Sequence, residues 1–307
     1  MNISIIGGDL RIIRLAEMYA QEGKMVYMLY MYGFEKYFLE NLQSNRNILN
    51  EKNNSKEKSH PHITELPNVI LCENIREAVT NCDIVISGMP FSKDGENVNA
   101  PFSKTEIKIE GLKNELNNKT FIAGGIPKDF YDKQIKNIDL LQIDELTILN
   151  AIPTVEGTIK IAIEEREETI HESNVLVCGF GRIGKILCNR FKALGANVYC
   201  AARKETDLAW IREKRYFPIR YGELCEYAEK FDIVINTVPS LIIKQKELDS
   251  FNKNVLIIDV ASTPGGIDKE YAEKIKIKVI TALGIPGKQM PKTAARYIKE
   301  VIDGKIK

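Results

Sequence analysis

At 307 residues the chain is long enough for two domains of ordinary size, and its formal net charge of +1 gives no bulk attraction to nucleic acid or anionic membrane. Hydrophobic residues at 44% and charged residues at 28% are the proportions of a soluble globular protein. The first residues form a strand with no basic leader, and no apolar run is expected to be long enough to span a bilayer.

Residues 2–6 read as a strand, Gly7-Gly8 as a turn, and 10–21 as a helix with Ile12, Ile13, Leu15, Ala16 and Tyr19 on its apolar face. Gly23 caps the helix and 25–30 returns as a strand. This is a βαβ unit without a third glycine, and it reads as an α/β domain with no nucleotide. Residues 41–65 are polar and rich in Asn, Lys and Ser, the composition of a mobile surface insertion. Order resumes at Val69-Ile70-Leu71, followed by a helix with Ile75, Ala78 and Val79 and a strand over 83–87. Gly88-Met89-Pro90 then opens a loop that runs through Asn99-Ala100-Pro101. Loops at strand C-termini are where open α/β sheets bind ligands, so this loop is a site candidate. A helix near 109–116, a strand over 120–123 and the loop Gly124-Gly125-Ile126-Pro127 follow.

Residues 144–168 carry one long pattern centred on Ile152-Pro153-Thr154-Val155-Glu156-Gly157-Thr158. Pro153 suits a helix start, and a helix over 151–168 is expected to cross from one domain to the next. Glu156 either complements the helix N-terminus or faces the cleft, and the residues leave both open.

The strand over 174–178 runs straight into Gly179-Phe180-Gly181-Arg182-Ile183-Gly184, and a helical pattern follows at once. In that setting G-x-G-x-x-G points to a dinucleotide site. Gly179 permits the tight turn, Gly181 lets a pyrophosphate approach the backbone, and Gly184 lets the helix pack on the strand. Arg182 and Ile183 open the helix, whose N–H groups face the phosphates. The second strand, 197–202, ends in Ala201-Ala202, where an NAD site usually places Asp or Glu for the ribose hydroxyl. Arg203 and Lys204 follow, two cations placed to bind a 2′-phosphate, so NADP is expected over NAD. The competing reading makes them a solvated loop.

Further strands are expected over 231–236, 255–260 and 278–280. Their loops share the sheet edge of the glycine turn, which puts Thr237, Pro239 and Ala261 beside the nicotinamide and its ribose. A Gly/Pro loop over 284–292 leads to a closing helix over 293–302, expected to return to the N-terminal domain. The fold class is therefore α/β: two Rossmann-like three-layer domains with parallel sheets and a cleft between them. The divisions are a substrate-side domain over 1–150, a linking helix over 151–168, a cofactor domain over 169–283 and a returning segment over 284–307. The six cysteines include no C-x-x-C pair and read as buried free thiols of a reducing cytoplasm. His60 and His62 lie in the polar stretch and His171 stands alone, so no metal site is expected.

Several motifs resemble one family: Asn150-Ala151-Ile152-Pro153-Thr154-Val155-Glu156-Gly157-Thr158-Ile159, Asn236-Thr237-Val238-Pro239-Ser240 and Pro264-Gly265-Gly266-Ile267-Asp268. Gly284-Ile285-Pro286-Gly287-Lys288, Pro291-Lys292-Thr293-Ala294 and the opening Ile5-Ile6-Gly7-Gly8-Asp9-Leu10-Arg11 belong to the same set. Together, over nearly the whole chain, they resemble the family of dipicolinate synthase A subunits. The resemblance implies NADP-dependent oxidation of dihydrodipicolinate, or its hydroxylated precursor, to dipicolinate during sporulation. It also implies the flavoprotein-like B subunit of dipicolinate synthase as partner and action in the mother-cell cytoplasm. A homo-oligomer stays open. A substrate with two carboxylates calls for cationic clamps, with Arg11, Lys288 and Lys292 as candidates, and Ser87 and Thr154 as hydrogen bonders. Glu156 is the candidate proton acceptor. One alternative is a 2-hydroxy acid dehydrogenase, which needs a late histidine that this chain lacks after His171. Another is an NADP-binding regulatory or structural subunit that is inactive alone. A nucleic-acid-binding module is disfavoured by the charge balance.

Overall fold

The computed structural model describes residues 1–29, 34, 63 and 66–306. Apart from Ile63, the polar stretch 41–65 lies outside the described residues. The chain divides into unit 1, Met1–Thr147 with Pro291–Lys307, and unit 2, Ile148–Met290.

Unit 1 holds strands β1 (Asn2–Ile6), β2 (Met25–Leu29), β3 (Val69–Cys72), β4 (Ile84–Ser87), β5 (Thr120–Ala123) and β6 (Lys136–Asp139). They form one parallel sheet in the order β3-β2-β1-β4-β5-β6. The central strands NISII and IVIS are nearly continuous apolar runs, as a parallel sheet covered on both faces requires. Helix α1 (Leu10–Gln21) buries Ile12, Ile13, Leu15, Ala16 and Tyr19 against the sheet. Short helices α2 (Ile75–Thr80) and α3 (Ile109–Lys113) complete the connections.

Helix α4 (Asp144–Glu164) corrects the linking helix expected over 151–168: it starts earlier, with Pro153, read as suiting a helix start, inside it, and ends at Glu164. Asp144 and Glu145 place negative charge in the first turn, where the helix dipole favours it. Pro153 removes one N–H, and the Thr154 and Thr158 hydroxyls donate back to the Asn150 and Thr154 carbonyls at 3.0 and 2.8 Å. By length and composition α4 could cross a membrane, with mean hydropathy 1.3 over its most apolar stretch, which corrects the expectation that no run reaches that length. It places Val155 and Ala162 in the unit 2 core.

Unit 2 repeats the plan. Its elements are β7 (Asn174–Cys178), α5 (Arg182–Ala193), β8 (Asn197–Ala202), α6 (Glu205–Glu213), β9 (Phe217–Arg220), α7 (Leu224–Tyr227), β10 (Ile233–Asn236), α8 (Gln245–Ser250), β11 (Leu256–Asp259), α9 (Lys269–Lys274), β12 (Lys278–Thr281) and α10 (Ile285–Gln289). The parallel order is β12-β11-β10-β7-β8-β9. In both sheets the order reverses beside the first strand, which is the switch point of a doubly wound fold. Two edge strands escape the sequence reading. β6 (KNID) is polar, and β9 (FPIR) carries Pro218, which a central strand would not accept.

The expected boundary at 150/151 moves to 147/148, inside α4, and the expected returning segment over 284–307 splits at 290/291. Residues 284–290 stay with unit 2 because the face of α4 at Gly157 is pressed against Ile285, and Lys160 Nζ donates to Gln289 at 2.9 Å. Helix α11 (Pro291–Ile306) packs in unit 1. Tyr19 donates to Asp303 at 3.0 Å, and Lys299 pairs with Glu22 at 2.8 Å and Asp303 at 2.6 Å.

Candidate functional site

The glycine turn lies at the unit 2 switch point. Gly179 has φ +100°, and a Cβ there would come within 2.5 Å of Thr237 Oγ1. Thr237 ties the turn to β10, donating from its N and Oγ1 to the Cys178 carbonyl at 3.0 and 2.8 Å. A Cβ on Gly184 would run into the Gly179 carbonyl, so the third glycine lets α5 sit on the strand end. A Cβ on Gly181 would meet nothing within 4 Å. That open side adjoins the first turn of α5, whose N–H groups lack intrahelical acceptors. Arg182 is exposed there and Ile183 is half-buried against the core. Backbone donors, a bare helix N-terminus and open space above Gly181 fit a pyrophosphate.

At the end of β8, Ala201 and Ala202 are buried and Arg203 and Lys204 are exposed. The neighbouring cation Arg220 is held by Glu205 at 2.9 Å and Glu223 at 3.5 Å. Burial raises the Tyr221 phenol, and the positive charge of nearby Arg203 works against that rise.

Sequence reasoning missed a buried polar pair beside this turn. Asn236 ends β10 and Asp259 ends β11, directly opposite in register. Asn236 Nδ2 donates to Asp259 Oδ1 at 2.8 Å and to the Val238 carbonyl at 3.0 Å, while its Oδ1 accepts from Val238 N at 3.0 Å. Asp259 Oδ1 also accepts from Ala261 N at 3.3 Å. Asp259 Oδ2 has no hydrogen bond and faces Lys269 Nζ at 3.6 Å. Cβ atoms on Gly265 and Gly266 would come 2.7 Å from Asp259 Oδ2 and 2.5 Å from Asn236 Nδ2. The pair therefore pins the loops after β10 and β11, which carry half-buried Thr237, exposed Pro239 and buried Ala261. The available signal was a polar residue closing each apolar run, IVIN and LIID. Burial, with the Asp259 charge adding, pushes the Cys178 thiol up to about 12.

The expected substrate residues separate into two groups. Arg11 is only 5% exposed; it pairs with Asp9 at 2.7 Å and donates to the Met89 carbonyl. Buried Ser87 donates to the Ile6 carbonyl at 2.6 Å, and Thr154 to Asn150 as above. These three have partners inside the chain. Lys288, on α10, and Lys292, in the first turn of α11, are exposed. Glu156 is exposed well inside α4, beside Ile159, Lys160, Ile163 and Met290, so it does not serve the helix N-terminus. His171 precedes β7, at the opposite sheet edge from the glycine turn, and lies 3.8 Å from Glu172. Among the described residues, no group of His, Cys, Asp and Glu could hold a metal ion.

Two family profiles match. The N-terminal domain of the dipicolinate synthase A subunit covers residues 58–144, and the NAD binding domain of D-isomer specific 2-hydroxyacid dehydrogenases covers 155–272. The second makes unit 2 a nicotinamide-dinucleotide domain of oxidoreductase type. The dipicolinate synthase A subunit of Bacillus subtilis (strain 168) is 46% identical over 54% of this chain and 56% of its own length, so that match spans little more than half of the relative. The crystal structure of the A chain of Bacillus subtilis dipicolinate synthase superposes with TM-score 0.76 and 32% identity, covering 100% of this chain and 95% of that one. The A subunit from Bacillus halodurans gives TM-score 0.79 and 27% identity, covering 99% and 97%. On the full-length match at 32% identity, the chain belongs to the family of dipicolinate synthase A subunits.

Proposed function

We propose that this chain oxidises dihydrodipicolinate, or its hydroxylated precursor, to dipicolinate with NADP, together with a flavoprotein-like B subunit in the mother-cell cytoplasm during sporulation. The observation that carries this reading is the open glycine turn beside a bare helix N-terminus in a member of this family. A nicotinamide dinucleotide bound there supplies the hydride acceptor. The dihydro ring, reached from the hydroxylated precursor by loss of water, gives up a hydride and a proton and becomes aromatic, which provides much of the driving force. The chain is therefore asked for orientation more than for strong acid–base assistance.

Each residue then has a defined task. The turn at Gly179–Gly184 holds the pyrophosphate by its N–H groups. Arg203 and Lys204 bind the 2′-phosphate, with no carboxylate at Ala201-Ala202 to repel it. The Asn236–Asp259 pair fixes the loops bearing Thr237, Pro239 and Ala261. Lys288 and Lys292 bind substrate carboxylates, and Glu156 accepts the proton.

The test is fluorescence titration of the purified chain with NADPH and NADH, followed by dihydrodipicolinate with NADP. Tight NADPH binding with dipicolinate formation supports the reading, and no nucleotide binding overturns it. A second reading, an NADP-binding subunit inactive alone, is favoured by the internal partners of Arg11, Ser87 and Thr154. Turnover that appears only when the B subunit is added, and that Glu156→Gln in this chain leaves unchanged, would select it. If Glu156 takes the proton, Glu156→Gln lowers turnover and leaves NADPH affinity unchanged.

A further inference from the structure

Helices α5 and α6 flank a cavity of about 360 Å³, within the range of small-molecule sites. It is lined by Phe180, Lys185, Asn189, Trp210, Lys214 and Tyr216. Lys185 and Asn189 are four residues apart on α5, and Trp210 and Lys214 repeat that spacing at the end of α6, so two helix faces converge. Trp210 is 56% exposed, an unusual position for a large apolar ring. Lys185 Nζ sits 5.5 Å from the Phe180 ring centre, and Lys214 Nζ 5.8 Å from that of Trp210. Lys185 makes no ion pair among the described residues, Lys214 Nζ pairs with Glu213 at 3.1 Å on the surface, and no carboxylate lines the cavity.

We propose that this cavity is a second binding site, for a small planar aromatic carboxylate. An aliphatic acid would use only the two ammonium groups, and a neutral ring only the aromatic walls. An aromatic carboxylate uses both at once. Phe180 lies between Gly179 and Gly181, so a ligand in the cavity touches the turn that cradles the dinucleotide. The site goes beyond the function proposed above; only the choice of dipicolinate as one probe rests on that reading.

Trp210 is the sole tryptophan of the chain and therefore reports on the site directly. The full chain is titrated with dipicolinate, isophthalate and glutarate while indole emission is followed. The expected result is saturable quenching by both aromatic acids and none by glutarate. Lys185→Glu and Lys214→Glu, both at exposed positions, should weaken it by about tenfold or more through loss of a charge-assisted contact. Absence of a saturable change overturns the proposal, as does quenching indifferent to both lysine variants. Self-association that Trp210→Ala abolishes would also overturn it, by making the groove a protein interface. Isophthalate binding without any dipicolinate formation, even with the B subunit added, would sink the proposed reaction and leave the site standing. Dipicolinate formation without groove binding would do the reverse.

Discussion

The first strand of each unit runs into the same turn and helix, and the two turns are finished in opposite ways. In unit 1 the chain fills its own turn. A Cβ on Gly7 would come 2.8 Å from Val98, and Gly8 N donates to the Asn99 carbonyl at 2.8 Å. Asp9 then caps α1, accepting from Arg11 N at 3.0 Å, so the positive helix end already has its anion. In unit 2 the cap is Gly181, with no side chain, and the space above it is open. The backbones at the two caps are close, φ −97° and ψ −168° at Asp9 against φ −81° and ψ −160° at Gly181. One carboxylate and one returning loop thus separate a self-satisfied turn from one that can receive a phosphate.

The largest expected effect breaks the unit 1 turn. Asp9→Ala leaves the buried Arg11 guanidinium without its carboxylate and costs about 3 kcal/mol of stability in urea unfolding. It should bring no dinucleotide binding at Gly7-Gly8, because Val98 and Asn99 still occupy that space. Gly181→Asp makes the second turn resemble the first. Dinucleotide affinity should fall about a hundredfold, with a melting temperature unchanged or slightly raised, since Asp is a good cap and the site has room. Loss of both folding and binding would mean that the opening above Gly181 is not free. Arg203→Ala should weaken NADPH binding about tenfold while NADH changes little, the loss of one charged contact. Equal losses would remove the 2′-phosphate assignment.

The smallest effect near neutral pH is one that the units share. Burial raises Cys72 from 9 to about 11, and Cys82 and Cys178 to about 12. Folded thiols stay neutral where unfolded ones ionise. The stability they contribute is therefore complete below pH 9 and is lost as pH rises toward 11 to 12. Urea midpoints across that window should fall, and partly exposed Cys225 should alkylate before the buried thiols at lower pH.

What was legible follows from where one residue type decides the structure. The unit 2 turn could be read because an apolar strand, three glycines and an amphipathic helix each demand the same geometry. Strands β6 and β9 could not, since an edge strand pairs on one side and tolerates Lys136, Asn137 or Pro218. Pro153 hid the first turns of α4, because tertiary packing holds a helix across a proline that the isolated sequence reads as a boundary. Arg11 read as a ligand clamp although Asp9, its partner, stands two residues away. Spacing in sequence does not say which of two nearby charges turns inward. Asn236 and Asp259 read only as members of the strands over 231–236 and 255–260, and only the parallel register places them face to face.

The chain leaves unit 1 after Thr147 and returns to it only at Pro291. During synthesis, then, all of 148–290 emerges before the last helix of the half that was started first. The nascent dinucleotide-binding half holds every strand it needs and can close early. The earlier half must wait, with Ile12, Ala16 and Tyr19 uncovered, until Ala295, Ile298 and Ile302 have left the ribosome.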